Sequence, residues 1–358
     1  MKKSKKLIRA LALILPLTFV AAFLICATPI LQPKYISASP EGSLTEEYYA
    51  SVKETRHDVL FIGDCEVYES FVPAVLWEDY GISSYVRGGA QQLVWHSYYM
   101  LKDALRYETP EIVVFNVLSL KYGEPQKEAY NRLALDGMEW SSVKVEAIQA
   151  SMMAEESFAS YVWPLLRYHS RWNELTAEDF KYAFAEKPTV SDSGYLMQTD
   201  IVPAVPTNEA PKQLIDPALP TTAMDYLDRM ASLCREKGIE LILIKAPTNA
   251  VSYHWYDEWE EQIQDYAAEN GLAYYNFIPK AEEIGLDMTT DTYDAGVHLN
   301  VYGAEKLTRY FGQILSEHHH APDRREDAAL SEVWDSRVMD YHAHKAQMEQ
   351  ISQNKHHS

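Results

Sequence analysis

Residues 58–68 read Asp-Val-Leu-Phe-Ile-Gly-Asp-Cys-Glu-Val-Tyr, and this stretch determines the fold class. Val59 to Ile62 is a short apolar run with β-branched and aromatic residues, the pattern of a strand buried on both faces. Gly63 ends the run, where the missing Cβ permits a sharp turn or the close approach of a ligand. Asp64 and Cys65 then stand at the carboxyl end of the strand, where open α/β sheets collect their ligand sites. A thiol at that place can be a nucleophile. Small buried cysteines also serve as core packing, and the stretch alone does not choose between the two.

Moving outward, helices and strands alternate. Pro73 opens a helix through Trp77, with proline at a favoured first-turn position. Strands are expected at Ser83–Val86 and Glu111–Leu118, with a helix from Leu93 to Tyr107 between them. Asn116 interrupts the second of these apolar runs, so it needs a buried partner or faces a site. Regularity fades between Lys121 and Pro220. Helical pieces at Ser142–Met153, Phe158–Arg167 and Ala177–Ala185 precede a turn-rich passage from Lys187, the pattern of an insertion that covers a site or meets a partner. Order returns with a helix over Thr221–Lys237 closed by Gly238. The strand Ile239–Ala246, a helix over Tyr256–Asn270, the strand Leu272–Phe277 and a helix from Val301 to Glu317 follow. Strands and helices at this spacing predict an α/β fold: a parallel five-stranded sheet in flavodoxin-like order, sandwiched between two helical layers.

The ends differ from the middle. Lys2, Lys3, Lys5, Lys6 and Arg9 precede 22 uncharged residues, Ala10 to Leu31. About 20 apolar residues span a hydrocarbon core of about 30 Å. The basic flank holds its end in the cytoplasm, so the bulk of the chain is expected to face outward from a single-pass anchor in the cell membrane. The run is longer than the h-region of a secretory signal, and no clean Ala-x-Ala site precedes a polar start. Both features favour an uncleaved signal-anchor over a cleaved signal peptide. A lipid on Cys26 is disfavoured by the bulky Phe23-Leu24-Ile25. The expected organisation is residues 1–33 as basic end and membrane helix, 34–57 as tether with a short helix around Thr45–Lys53, 58–316 as the α/β domain with an insertion at 121–220, and 317–358 as a charged tail with a surface helix over Arg325–Ile351.

With 32 basic and 52 acidic residues the chain has a net charge of −20, and its N-terminal end holds only basic ones. So acidic a remainder excludes non-specific binding to nucleic acid or anionic headgroups. Of three cysteines, Cys26 lies in the apolar run and Cys234 on the apolar face of a helix with Leu227 and Met230. A Cys65–Cys234 bridge is open to an exported chain, but two cysteines make no disulfide framework.

A second chemical element is Asp291-Thr-Tyr-Asp294-Ala-Gly-Val-His298-Leu-Asn300-Val-Tyr-Gly303. A histidine just before the last helix, with aspartates shortly upstream, can act as a base oriented by a carboxylate. Arg167, Arg171 and Trp172 could line a cleft for a glycan, or lie on an exposed amphipathic helix. Lys245, at the end of a strand, could snorkel at the site's edge. His318-His319-His320 lacks acidic or cysteine partners at metal-site spacing, and reads as a solvated helix end.

Phe61-Ile-Gly-Asp-Cys65 together with Asp294…His298-Leu-Asn300…Gly303 resembles the SGNH (GDSL-type) hydrolase superfamily, over residues 58–120 and 221–316. In that family a Gly-Asp-Ser nucleophile motif follows the first strand of a flavodoxin-like sheet, and Asp-x-x-His precedes the last helix. The anchored, outward-facing form is similar to members that accompany membrane-bound O-acyltransferases in cell-envelope acylation. Here cysteine replaces serine, Asp294 is four residues before His298 rather than three, and the Gly-x-Asn-Asp block is absent.

The resemblance implies Cys65 as nucleophile, His298 as base and Asp294 or Asp291 as orienting carboxylate, with Asp64 beside the thiol. Oxyanion donors would be the Cys65 and Gly89 N–H groups and a side chain from Asn116 or Ser119. It implies an acyl ester on an envelope glycan or polymer as substrate, an O-acyltransferase as partner, and neither metal nor cofactor. The alternative is a silent module of the same fold that binds a glycan or scaffolds the acyltransferase. A thiolate needs less help from a base than an alkoxide, yet Asp64 next to it opposes ionisation.

Overall fold

The computed structural model describes residues 2–32, 41–184, 189–204, 213–250 and 253–356. The chain forms two compact units: residues 41–153 with 190–358, and residues 1–40 with 154–189.

The larger unit is built on five parallel strands: β1 (Val59–Gly63), β2 (Ser84–Gly88), β3 (Ile112–Asn116), β4 (Glu240–Lys245) and β5 (Ala273–Asn276). Their order is β2-β1-β3-β4-β5. The chain reverses its winding between β1 and β3, which opens a crevice at the carboxyl ends of those two strands.

The apolar runs form strands because both faces are covered, with side chains alternating across the sheet. Val59, Phe61, Ile112, Val114, Ile242 and Ile244 pack on one face, under the helices Pro73–Tyr80 and Val301–His318. Leu60, Ile62, Val113, Phe115, Leu241 and Leu243 pack on the other, under the helices Val94–Ala104, Thr221–Lys237 and Asp257–Asn270. Gly81, Gly238 and Gly271 close three helices in the left-handed conformation that glycine adopts without strain.

The short helix expected around Thr45–Lys53 is present and longer, over Glu41–Glu54, with Leu44, Tyr48 and Tyr49 buried because its aromatic face has a core to join. Residues 33–40 lie outside the described residues. The helix expected over Arg325–Ile351 in the C-terminal tail is present over Ala328–His356, and it packs on the α/β body. Its Trp334 stacks on Trp77 with ring centres 5.7 Å apart, Trp77 Nε1 donates to Asp335 Oδ1 at 2.9 Å, and Tyr341 is fully buried. The expected insertion is divided, since residues 121–153 and 190–204 belong to the α/β body and 154–189 to the other unit. Within the expected passages, Ala185, residues 186–188 and residues 205–212 lie outside the described residues.

The smaller unit contains a helix over Lys2–Leu31. Among the described residues it is the one helix long and apolar enough to cross a membrane, with mean hydropathy 2.3 over Ile14–Leu31.

The cysteines are free. Cys65 packs with the cluster on one face of the sheet and Cys234 with that on the other, so the bridge open to the sequence is not formed.

Candidate active site

Gly63 ends β1, and Asp64 caps the short helix Cys65–Tyr68 by accepting from the Glu66 N–H at 3.2 Å. A side chain at position 63 would bring its Cβ within 2.5 Å of Val67 Cγ2, so this tight strand-to-helix turn requires glycine. Cys65 is thereby fixed at the sheet's carboxyl edge with 7% of its surface exposed.

His298 comes from the loop before the helix Val301–His318. That loop is set by Asn300, whose Oδ1 accepts from the Tyr302 and Gly303 N–H groups and caps the helix. Asp294 holds His298 at two points: Oδ1 accepts from its backbone N–H at 2.8 Å, and Oδ2 lies 2.7 Å from ring Nδ1. Glu69 Oε2 lies 3.4 Å from the same nitrogen, and Glu69 Oε1 accepts from the Tyr293 hydroxyl at 2.7 Å. With both carboxylates on the Nδ1 side, Nε2 is buried and makes no hydrogen bond among the described residues. The ring and the Cys65 thiol nonetheless interact through their side chains. Tyr253 joins both residues, its hydroxyl 3.6 Å from Sγ and its ring edge-on to the imidazole at 5.4 Å.

Burial pushes the Cys65 thiol up and the anions of Asp64 and Glu69 add to that, while the neighbouring His298 side chain and its charge pull it down without prevailing. For His298 burial alone would lower the pKa, but Asp294, the Cys65 sulfur and Glu69 raise it to about 12.

Below Cys65 lies a buried polar network. Lys245 Nζ donates to both Glu66 carboxylate oxygens and to the Ala246 carbonyl, each at 2.8 Å. Asn116 Nδ2 donates to Asp64 Oδ1 at 3.0 Å and to Glu66 Oε2 at 2.9 Å, and its Oδ1 accepts from the Ala246 N–H at 3.1 Å. Burial and the neighbouring Glu66 raise Asp64 to about 6, against the pull of Asn116, Lys245 and Lys121.

Several expected roles are therefore reassigned. Lys245 does not snorkel; it is fully buried and paired. Asn116 spends its amide inside the network, and the Gly89 N–H donates to the Gly63 carbonyl at 3.3 Å, so neither is available to an oxyanion. Asp291 is the structural aspartate, accepting from Lys306 Nζ at 2.6 Å and from the Asp287 N–H at 2.7 Å, which leaves Asp294 as the carboxylate on His298. Ser119 remains as expected at the cleft: its hydroxyl is buried and has no hydrogen-bond partner among the described residues. Arg167, Arg171 and Trp172 belong to the smaller unit, where Arg171 Nη1 donates to the Leu31 carbonyl at 2.7 Å. His319, within the histidine run, pairs with Glu240 and Tyr275 at 2.7 Å each rather than lying in solvent.

The cleft beside Cys65, lined by Asp64, Ser119, Lys121, Tyr122 and Tyr253 among others, has about 20 Å³ of free volume. That holds one water. Burial lowers the Lys121 ammonium's pKa, against the attraction of Asp64 and Glu66, and it stands 5.2 Å from the ring centres of Tyr122 and Tyr253. Residues 190–204 strap the two halves of the site together: Leu196 N–H donates to the Tyr68 carbonyl, Val202 N–H to that of Thr292, and Val301 N–H to that of Gln198.

Sequence reasoning missed Glu69, Tyr253, Lys121 and the Glu66–Lys245 pair. Glu69 was accessible, since it follows Cys65 by one helical turn. Lys245, the one cation in the run Ile239–Ala246, was a signal for a buried anion opposite.

Residues 207–319 match the model of a family of uncharacterised proteins. The match covers less than half of the chain; it includes Asp294 and His298 and omits Cys65. The chain matches no curated protein.

Proposed function

We propose that the Cys65–His298–Asp294 constellation carries out acyl transfer, as an SGNH-like esterase or O-acyltransferase with cysteine as nucleophile. The observation that carries this reading is the double grip of Asp294 on His298, which commits Nδ1 and leaves Nε2 buried and unengaged in a ring that interacts with the Cys65 side chain. The order β2-β1-β3-β4-β5, with Cys65 after β1 and His298 before the helix that follows β5 and its loop, Val301–His318, supports the flavodoxin-like SGNH identity.

In this reading neutral His298 takes the Cys65 proton on Nε2, which gives a thiolate facing an imidazolium. The thiolate attacks an ester carbonyl, the S–C bond forms, and the C–O bond breaks. The leaving alkoxide takes its proton from His298 Nε2. Neutral His298 then removes a proton from water or an acceptor hydroxyl, which attacks the thioester and returns the thiolate. Ser119 Oγ–H would donate to the oxyanion and Tyr253 to the sulfur. The substrate in this reading is an acyl ester on an envelope glycan or polymer, handled outside the membrane that the Lys2–Leu31 helix spans, with a membrane-bound O-acyltransferase as partner.

The test is intact-mass analysis of the full chain after exposure to p-nitrophenyl acetate. An acetyl adduct on wild type, retained as an oxygen ester or lost in Cys65→Ser and absent in Cys65→Ala, is expected. No adduct on wild type, or an equal one on Cys65→Ala, overturns the enzyme reading.

A second reading, a silent module that binds a glycan or scaffolds an acyltransferase, is favoured by one observation: the thiol is raised by burial in a cleft with room for one water. Absence of the adduct selects it.

A further inference from the structure

The smaller unit presents a surface that the candidate site does not use. Its helices Leu165–Tyr168, His169–Asn173 and Ala177–Phe184 contact the Lys2–Leu31 helix. They do so near its C-terminal end, because Leu24 and residues 27–32 are partly covered while most residues from 14 to 26 are exposed. Arg171 fixes the arrangement, donating to the Leu31 carbonyl at 2.7 Å and pairing with Asp179 at 3.3 Å. A cation on the last carbonyls also complements the helix dipole.

Around that end the unit exposes Val162, Trp163, Leu166, Trp172 and Phe180, each with more than half of its surface open. Five large apolar side chains within about twenty residues, two of them tryptophan, are more than the scatter of apolar residues on a soluble surface.

We propose that residues 158–184 form a collar embedded in the headgroup interface of the membrane, gripping lipid where the N-terminal helix emerges. The inference rests on the reading of Lys2–Leu31 as a membrane anchor. Its position follows from length. The uncharged run begins at Ala10, and about 20 residues cross the hydrocarbon. Residues 27–31, the part that the collar touches, therefore fall at the outer boundary of the hydrocarbon. Tryptophan and tyrosine concentrate there because their rings are apolar and their polar atoms still reach water. Arg167, Arg171 and Lys181 are balanced by Glu174, Glu178 and Asp179, so the collar carries no net charge and needs no anionic lipid. Zwitterionic headgroups suffice, which accords with a strongly acidic remainder that anionic lipid would repel.

The full chain reconstituted into phosphatidylcholine vesicles, with acyl chains brominated near the glycerol end, tests this. Bromine quenches tryptophan on contact. Quenching is expected in the wild type and should be largely lost in Trp163→Phe/Trp172→Phe, which keeps the aromatic bulk while removing two of eight tryptophans as reporters. Flotation with the vesicles is followed in parallel. A chain that floats but whose quenching is the same in wild type and variant overturns the collar alone and leaves the anchor. A chain that fails to float overturns the anchor and the collar with it. Quenching that appears only with anionic phosphatidylglycerol overturns the zwitterionic interface proposed here.

Discussion

Asp294 binds His298 through both of its carboxylate oxygens, one on the backbone N–H and one on the ring Nδ1. The four-residue spacing makes this possible: the intervening Ala295 and Gly296 adopt positive φ, at 64° and 95°, and curl the loop back so that one aspartate reaches both groups. Backbone and ring are positioned by the same side chain, so the imidazole cannot reorient without the loop opening.

Asp294→Ala should free the ring and remove the anion that favours the imidazolium. Acetylation of Cys65 by p-nitrophenyl acetate is expected to slow by about 10²–10⁴-fold, the range for loss of positioned acid–base catalysis. Asp291→Asn should act differently: it breaks the contact with Lys306 and lowers stability with a much smaller effect on acetylation per folded molecule. Equal slowing in both variants would mean that Asp294 supports the fold and not the reaction.

The pH response follows from the direction of the shifts. With the Cys65 pKa raised, alkylation by iodoacetamide should reach half its limiting rate above the ordinary thiol range of about 8.5. His298→Ala removes a group that lowers the thiol pKa and should move the midpoint further up. Asp64→Asn removes an anion that raises it and should move the midpoint down. Stability bears the same sign. His298, raised from 6.5 to about 12, contributes stabilisation that is complete below the unfolded value and is lost as pH rises toward 12. Full-chain stability should therefore decline on the alkaline side, less steeply in His298→Ala. A midpoint below 8 in the wild type would contradict the buried, anion-flanked thiol.

Lys245 and Glu66 are both fully buried, and removing one strands the other. Lys245→Met should cost about 3–5 kcal/mol in urea denaturation of the full chain. Lys245→Met/Glu66→Leu should recover most of that loss, because no uncompensated charge remains. Additive losses in the double variant would show that the two do not act as a pair.

How much of this was legible depends on how far apart the causes lie in the chain. The strands were readable because Val59–Ile62, Ile112–Phe115 and Leu241–Ile244 are apolar on both faces, a property of consecutive residues. Asp294 and His298 were readable because their relation spans one loop. The Lys245–Glu66 pair spans 179 residues, and only the folded sheet brings β4 against the turn after β1. Gly89 and Asn116 were misassigned for a related reason. Whether an N–H or amide is free depends on which carbonyl or carboxylate packs beside it, here those of Gly63, Asp64 and Glu66. Trp334 and Tyr341 are buried on a helix whose charged sequence reads as solvated, because two aromatic side chains suffice to dock it on Trp77 and its neighbours.

Ser119 separates the two functional readings through stability as well as rate. Its hydroxyl is buried at the cleft with no hydrogen-bond partner among the described residues, and an unsatisfied polar group of that kind costs about 1–3 kcal/mol. If Ser119 serves only packing, Ser119→Ala should stabilise the fold and leave Cys65 chemistry unchanged. If its hydroxyl awaits an oxyanion, the variant should still be at least as stable as the wild type, yet form the acetyl adduct about 10²–10³-fold more slowly, as for other single oxyanion donors. Iodoacetamide labelling of Cys65 should be indifferent to the substitution, because alkylation passes through no oxyanion. A stable variant with unimpaired acetylation would remove Ser119 from the mechanism. A variant slowed equally in acetylation and alkylation would point to a displaced Cys65 instead of a lost donor.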